Sequence, residues 1–311
     1  MPLKAERFLE AARARLEPLR GTYIYEPISR DLLAKTEQVD SGYGRWLAAL
    51  LPYLAVECGV AGKPRVLDFG CGSGELTVLM NTLGFEVTGL DLHEEHLALA
   101  RILAAENGVS GERFVLHRGG PLPFADRSFD LVTLFVVLEH LSDPVLDLVI
   151  PELRRVCSGG LFIQVPNRLQ TRDDHTGLAF VPWMPRWLAA RYVGLHGPRH
   201  RYAISRDGSW DVTYRTFGAI RRTFERHGLS VRFVPDALVY PPLDVARPLL
   251  QPPEGTPGWK RLAHRAARGA IRVLLGGEPP PQAWYPYLNL LATARRAPAH
   301  DAAAKAIPTR T

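Results

Sequence analysis

Cysteine is scarce in this chain, with three residues among 311. Cys58, Cys71 and Cys157 are odd in number and lack the paired spacing of a metal module, so neither a disulfide framework nor a zinc module is implied. Such usage is typical of proteins whose thiols stay reduced. We therefore expect a cytoplasmic location.

Long hydrophobic runs are also missing, although 46% of the residues are hydrophobic. The segment from Met1 to Arg7 lacks the apolar core of a secretion signal, and no run is long enough to cross a bilayer, so a soluble protein is expected. The net charge of +6 is moderate and allows an anionic substrate or surface. No nucleic-acid-binding module is recognisable, and we expect no nucleic acid partner.

What the chain does contain is an apolar strand that runs into three closely spaced glycines. Val66 and Leu67 are typical of a buried strand, and Asp68 closes it. The glycines at positions 70, 72 and 74 then let the backbone turn sharply beside a ligand. The last glycine comes one residue earlier than in a dinucleotide phosphate loop, and the acid would repel pyrophosphate but attract an ammonium group. The segment predicts a site for an adenosine-containing cofactor, with a plain tight turn as the alternative.

A second strand, Phe85 to Asp91, also ends in an acid. At this place in related sheets a carboxylate binds ribose hydroxyls, so Asp91 is the predicted ribose ligand and Leu92 is predicted to pack on adenine. A helix over residues 93–107 and a third strand over residues 113–117 follow.

With these segments and three later ones, the chain resembles the class I S-adenosylmethionine-dependent methyltransferases of the small-molecule type. The later segments are Leu122 to Val132, Leu138 to Leu141 and Gly159 to Asn167, and they occur in the family's order. The resemblance covers about a third of the chain, and four separate motifs agree on one architecture.

The resemblance implies an α/β fold with a doubly wound, mostly parallel sheet of seven strands, an antiparallel last strand and helical inserts. It implies S-adenosylmethionine as cofactor, and methyl transfer to oxygen or nitrogen of a small molecule, a sugar or a lipid-linked acceptor. The cofactor-binding residues it implies are Asp68, Gly70, Cys71, Gly72, Gly74, Asp91, Leu92, Gly119 and Phe135.

One position departs from the family. An acid usually follows the third strand and accepts a hydrogen bond from the adenine amino group, but Arg118 stands there and has no acceptor. Backbone groups of residues 118–120, or packing alone, would then have to recognise adenine.

The predicted organisation is a helical cap over residues 1–60, a domain over 61–297, and a loose tail over 298–311. Two inserts, at about 169–214 and 236–288, interrupt the domain. In the cap, Tyr23, Tyr25 and Tyr43 are weak candidates for cofactor contacts, and simple packing is the alternative.

A hydroxyl acceptor loses a proton during methyl transfer, so a base in the cleft is useful. His140 is the candidate base, because it follows the fourth strand and ligands bind at the carboxyl ends of parallel strands. His175 is a weaker candidate, with acidic neighbours and a solvated loop as its alternative reading. Glu139 and Asn167 are expected to line the acceptor pocket.

Trp183 and Trp187 stand between prolines and are expected to form a lid over the acceptor, with core packing as an equal alternative. Glu139 with His140, or Asp173 and Asp174 with His175, raises the alternative of a metal-dependent methyltransferase. Adjacent ligands on a helix rarely point to one centre, so no metal is predicted.

Residues 259–275 form a basic amphipathic pattern that permits contact with the inner face of a membrane, although a lid helix with arginines outside is the default. Two other functions stay open: an NAD(P)-dependent oxidoreductase, disfavoured by the glycine spacing, and a non-catalytic cofactor-binding or membrane-docked protein, indicated by Arg118 alone. The sequence leaves the oligomeric state open.

Overall fold

The structure, a computed structural model, describes residues 3–20, 42–197, 204, 208, 210–241, 249, 251–252, 254–274, 277 and 280–294. The predicted cap contacts Tyr23 and Tyr25 and the predicted tail over 298–311 lie outside these ranges. Among the described helices, none combines the length and the hydropathy needed to cross a bilayer.

Seven strands form one sheet: β1 (Arg65–Phe69), β2 (Glu86–Asp91), β3 (Phe114–Leu116), β4 (Phe129–Phe135), β5 (Cys157–Pro166), β6 (Leu229–Phe233) and β7 (Tyr287–Ala294). Their order in space is β3-β2-β1-β4-β5-β7-β6. The first five strands pair in parallel, and β7 runs antiparallel between β5 and β6. This confirms the predicted doubly wound sheet with its antiparallel last strand.

The described helices begin with α1 (Glu6–Leu16) and α2 (Gly44–Glu57), both within the predicted helical cap. Helices between the strands are α3 (Glu75–Thr82), α4 (Glu94–Glu106), α5 (Asp143–Val156), α6 (Arg186–Leu195), α7 (Phe217–Arg226) and α8 (Gly258–Leu274). Three short 3₁₀ turns also matter for the site: Leu138–His140, Val181–Trp183 and Pro281–Trp284.

Helices cover the sheet on both faces. Leu47, Leu50 and Leu54 of α2 pack in one buried cluster with strand residues such as Val66. Leu146 and Ile150 of α5 pack in a second buried cluster with other strand residues. Strands covered on both faces read as nearly continuous apolar runs, which is why β1 and β4 were visible in the sequence.

The carboxyl ends of the parallel strands position the site. The glycine loop follows β1, Asp91 ends β2, and the turn Leu138–His140 comes soon after β4. Because β7 runs the other way, its first residue, Tyr287, pairs with Pro166 at the end of β5 and lies at this same edge.

The insert over residues 169–214 has a small core of its own, although its sequence shows no steady periodicity. Val181, Val193, Trp210 and Tyr214 are buried together. Trp187 is 70% exposed and Trp183 is 38% exposed, so the alternative in which both tryptophans pack in a core is wrong.

Candidate functional site

The three glycines of the loop after β1 differ in what surrounds them. All have positive φ, at +76° for Gly70, +55° for Gly72 and +83° for Gly74. A Cβ on Gly70 would lie 2.7 Å from Val137, and one on Gly74 would lie 2.6 Å from Ala100. At Gly72 no protein atom would lie within 4 Å, so this glycine opens the loop toward the space that a ligand would occupy.

Asp91 fixes this loop to the end of β2. Its carboxylate oxygens accept hydrogen bonds from the amides of Gly72, at 2.9 Å, and His93, at 2.9 Å. Burial alone would raise the pKa of Asp91, but contact with His96 and the two amides bring it below its ordinary value. The carboxylate is therefore ionised, 7% exposed, and still has lone pairs for a diol, as a ribose ligand requires.

Asp68 is 2% exposed at the end of β1. Thr77 donates a hydrogen bond of 2.6 Å to Oδ2, and Thr133 donates one of 3.0 Å to Oδ1. Burial raises the pKa of Asp68 to about 6, against the opposing effect of the two threonines. Asp68 therefore brings a buried carboxylate to within two residues of the glycine loop.

A third buried acid, Glu75, was not singled out in the sequence. It is the first residue of α3 and is 6% exposed, and its charge adds to those of Asp68 and Asp91 in raising the pKa of the Cys71 thiol, after burial itself. An acid in the first turn of a helix usually signals only a helix terminus, which is why its part in a site was missed. Three buried carboxylates around one open loop favour a positively charged ligand.

The far side of the loop holds the predicted adenine contacts. Leu92 is 57% exposed beside Asp91, and Gly119 has a φ of +117° with open space where a Cβ would lie. Arg118 is exposed, and His117 contacts the carbonyl of Gly120 at 3.2 Å. Apolar surface and backbone groups are therefore what this part of the chain offers to a flat base.

Phe135, the last residue of β4, packs more deeply than a pure ligand contact would. Its ring centroid lies 5.8 Å from that of Trp46 and 5.7 Å from that of Phe162. Tyr43, at the start of α2, stacks with Tyr240 at 4.2 Å, and burial raises its pKa. This aromatic group forms a wall that joins α2 to the end of β4.

The turn after β4 carries the candidate base. Glu139 is fully buried and His140 is exposed. Val136, just before the turn, has a φ of +56°, which is a strained conformation for a β-branched residue.

Arg215, which directly follows the insert in the sequence, stabilises this turn by hydrogen bonds. It is 5% exposed and donates hydrogen bonds to the carbonyls of Leu138, at 2.9 Å, and Leu141, at 2.7 Å, and to Asp143 at 2.7 Å. The amide of Thr213 also donates to the Glu139 carbonyl at 2.6 Å. The turn is therefore tied down by residues that lie more than 70 positions away.

The structure brings His175 to His140, which the sequence had treated as rivals. The two imidazole centroids are 5.5 Å apart, in an edge-to-face arrangement. One possible ligand atom each from Glu139, His140 and His175 lie within 4.8 Å of one another. This grouping was not predicted from the sequence, because its third member comes from another loop.

Two acids position the His175 loop. Asp173 is 1% exposed and accepts hydrogen bonds from the hydroxyls of Tyr214 and Thr176, both at 2.6 Å. Asp174 interacts with Tyr287, whose pKa is raised by burial and then by that carboxylate. Sequence reasoning missed Tyr287, since it belongs to a strand that comes more than 100 residues later.

Asn167 does not line an open pocket, which corrects the sequence expectation. It is fully buried, its amide nitrogen donates to the carbonyls of Ala283, at 2.8 Å, and Tyr285, at 2.9 Å, and its oxygen accepts from Leu169. Its hydrogen-bonding groups are used in joining β5 to the segment before β7.

A cavity of about 160 Å³ lies in the insert beside the turn. Arg168, Arg186, Trp210 and Thr213 are among its lining residues, and Thr213 is the residue bonded to Glu139. Neither Trp183 nor Trp187 lines this cavity.

Comparison with known proteins points to one family. Residues 66–160 match the family described as methyltransferase domain. A ubiquinone biosynthesis O-methyltransferase from Aromatoleum aromaticum is 41% identical over 97 residues, which cover 30% of this chain and 40% of that protein. One of the same name from Cereibacter sphaeroides is 30% identical over 154 residues, covering 49% and 58%. The chain thus spans about half the length of the curated relatives it matches.

Among solved structures, an S-adenosylmethionine dependent methyltransferase from Mesorhizobium loti has a TM-score of 0.47 and 20% sequence identity. The match covers 81% of this chain and 98% of that one.

Proposed function

We propose that this protein is a class I S-adenosylmethionine-dependent methyltransferase and that it transfers a methyl group to an oxygen of a small-molecule acceptor. One observation carries the proposal: the open, acid-lined glycine loop and the His140 turn lie at the same edge of the sheet. The names of the relatives, which are O-methyltransferases, support oxygen rather than nitrogen.

The residues present fit S-adenosylmethionine. Gly72 leaves room for the ligand, Asp91 is ionised and has free lone pairs for a diol, and Asp68 and Glu75 add negative charge beneath a ligand that bears two positive charges. When bound, this cofactor supplies a methyl group on a sulfonium and leaves as a neutral thioether. We assign Asp91 to the ribose, Leu92 and Gly119 to the adenine, and the loop of Gly70, Cys71 and Gly72 to the amino-acid end.

His140 is proposed as the proton acceptor for the acceptor hydroxyl. As the oxygen forms its bond to carbon, its proton passes to the imidazole and from there to water, since His140 is exposed. The adjacent buried carboxylate of Glu139 stabilises the positive charge that His140 acquires.

The acceptor side is proposed to lie between this turn and the insert. The 160 Å³ cavity, with Arg168 and Arg186 at its wall, suits part of an organic molecule that carries a negative charge or an aromatic ring. Trp183 and Trp187 are exposed and stay candidates for a lid that closes only over bound acceptor. We place the reaction in the cytoplasm, with peripheral membrane contact through residues 259–275, of which 275 lies outside the described residues.

Two measurements test the proposal. Calorimetric titration with S-adenosylmethionine should show binding, and mass spectrometry should show a gain of one methyl group on candidate phenols, sugars and lipid-linked hydroxyls. The variant Gly72→Arg should abolish binding, because the side chain would fill the ligand's space. Gly108→Arg is its matched control, since Gly108 also has positive φ and open surroundings but lies at the end of α4.

Unchanged affinity in Gly72→Arg would reject the cofactor site. Binding of NAD(P)H with a change in its absorbance on turnover would favour an oxidoreductase instead. Cofactor binding without methyl transfer to any acceptor would favour a non-catalytic protein.

A further inference from the structure

Helix α8, Gly258–Leu274, is strongly basic. Its sequence has Lys260, Arg261, Arg265, Arg268 and Arg272 but no aspartate or glutamate. The positive charges are therefore not neutralised within the helix.

Four apolar residues of α8 lie on one side. At about 100° per residue, Trp259, Leu262, Ala266 and Val273 fall within a sector of roughly 60° along the helix. This apolar stripe, defined by these four residues, points to solvent: Trp259 is 69%, Leu262 64% and Val273 81% exposed. Helices of globular proteins normally turn such a stripe toward the core.

The other side of the helix fixes this orientation. The guanidinium of Arg268 lies 4.7 Å from the centroid of the Trp284 ring, and Ile271 and Arg272 are half-buried on the same side. A cation over an aromatic face is an attractive contact. It seats a basic residue against the protein, and the apolar stripe is left outside.

This contact also places α8 near the candidate active site. Trp284 ends the short turn before β7, and Asn167 at the end of β5 donates hydrogen bonds to the carbonyls on either side of it, those of Ala283 and Tyr285. The helix is therefore attached at the edge of the sheet where the glycine loop and His140 lie.

We propose that the apolar stripe of α8 docks into the surface of an anionic lipid bilayer. Lys260 and Arg265 are exposed beside the stripe, one toward each of its edges, where they meet acidic headgroups as the apolar residues enter the boundary layer. Charge complementarity favours this occupant, since an apolar stripe on a helix that has cations and no acids suits a surface with acidic headgroups and an apolar interior. Resting on the proposed function, docking would present the active edge to an acceptor that is lipid-linked.

The test uses the full chain and vesicles, and it requires no acceptor. Co-sedimentation should show binding to vesicles that contain phosphatidylglycerol, and little binding to vesicles of phosphatidylcholine alone. Binding should weaken as salt rises, because the headgroup attraction is screened. The emission maximum of tryptophan fluorescence should shift to shorter wavelength when the protein binds vesicles, and Trp259→Phe should remove most of that shift.

Two pairs of variants separate the stripe from general surface effects. Leu262→Ser with Val273→Ser should lower vesicle binding at least about tenfold, since two large apolar side chains leave the bilayer. The matched control is Leu148→Ser with Val56→Ser, whose side chains are 74% and 75% exposed on other helices. Lys260→Glu with Arg265→Glu should also weaken binding at least about tenfold, and Arg13→Glu with Arg222→Glu should not.

Equal binding by the stripe variant and its control would overturn the proposal, as would equal binding to neutral vesicles. So would a dimer in solution that only the stripe variant disrupts, because the stripe would then cover a second copy of the chain. Calorimetry with S-adenosylhomocysteine distinguishes the two proposals. A protein that binds S-adenosylhomocysteine but not vesicles would contradict only the docking proposal. A protein that binds vesicles but not S-adenosylhomocysteine would contradict only the proposed function.

Discussion

Three glycines in one loop serve two different purposes. Gly70 and Gly74 are required by close packing, since a side chain would clash with Val137 or Ala100, whereas Gly72 faces open space. The glycine spacing was visible in the sequence, but this division was not, because it depends on a residue of the turn after β4 and on one of α4. At the scale of single residues, the site is therefore defined as much by empty space as by side chains.

Asp68 should make stability depend on pH. Its pKa is raised from 3.8 to about 6 by burial, so the folded state binds the proton more tightly than the unfolded chain does. Its contribution is therefore fully present below about pH 4 and is lost as pH rises through about 6, a change of about 3 kcal/mol. Denaturant titrations at a series of pH values should show this loss.

The variant Asp68→Asn isolates the effect from the other titrating acids. Subtracting its unfolding free energy from that of the natural protein should leave a difference that falls between pH 4 and 7. Bound S-adenosylmethionine should move that fall to lower pH, because positive charge favours the carboxylate. A difference that is flat with pH would show that Asp68 titrates normally.

His140→Ala should lower turnover by about 10² to 10⁴, because general base catalysis contributes that much. It should change cofactor affinity little, because His140 is not one of the proposed cofactor-binding residues. The measurement is turnover against pH on the acceptor found by mass spectrometry. His227→Ala is a suitable control, since this histidine pairs with Asp147 on the outside of α5.

A chelator gives a further arm to the same experiment. Glu139, His140 and His175 offer three possible metal ligands, so loss of turnover in EDTA that returns with added Mg²⁺ or Zn²⁺ would replace the base with a metal. Unchanged turnover in both the variant and the chelator would remove the cluster from the mechanism.

At the scale of elements, the turn after β4 combines a strained backbone residue, Val136, with the candidate base, His140. Val136 is held at a positive φ by its hydrogen bond to Gln164, while Arg215 ties the following residues to the insert. Strain of this kind persists only where surrounding structure enforces it. We interpret it as the cost of presenting His140 beside the glycine loop.

Val136→Gly should therefore raise the free energy of unfolding, or leave it unchanged, while it lowers turnover. Glycine adopts positive φ freely, so the substitution removes strain of about 1 kcal/mol that valine carries there. It also makes the turn that positions His140 more flexible. Thermal unfolding and turnover report the two effects separately.

Arg127→Gly is the matched control for that substitution. Arg127 also has a φ of +56°, is exposed, and precedes β4 at its opposite end. It should gain stability without any change in turnover. If both variants keep full turnover, the strain at Val136 has no part in positioning the base.

The strands of the parallel sheet could be predicted because burial on both faces makes them apolar runs that end in acids and glycines. Helix α6 could not be placed, since the insert buries residues that are irregularly spaced, such as Val181 and Trp210. The same limit applies to the site. Asp91 follows from its place after a strand, but the meeting of His140 with His175, and the contacts of Arg215 and Tyr287, depend on loops brought together by the fold.

At the scale of the molecule, the first helix supports the cofactor loop from a distance. The amides of Arg7 and Phe8 donate hydrogen bonds to Glu106, at 2.8 and 2.9 Å, so that this carboxylate caps α1 and joins it to α4. Phe8 is fully buried in a cluster that includes Ala100 and Phe114. These two residues are the ones that a side chain on Gly74 would strike.

Phe8→Ala should destabilise the whole domain by about 3–5 kcal/mol, because it leaves a cavity behind the wall of the cofactor loop. Cofactor affinity should fall as well, since Ala100 and Phe114 lose the support that sets the position of Gly74. On heating, the helical circular dichroism signal and the binding of S-adenosylhomocysteine should be lost in one transition. Leu9→Ala, on the half-buried side of α1, should cost much less. An early transition for α1 alone, with cofactor affinity intact, would mean that the helix is a separate cap rather than part of the structure that shapes the site.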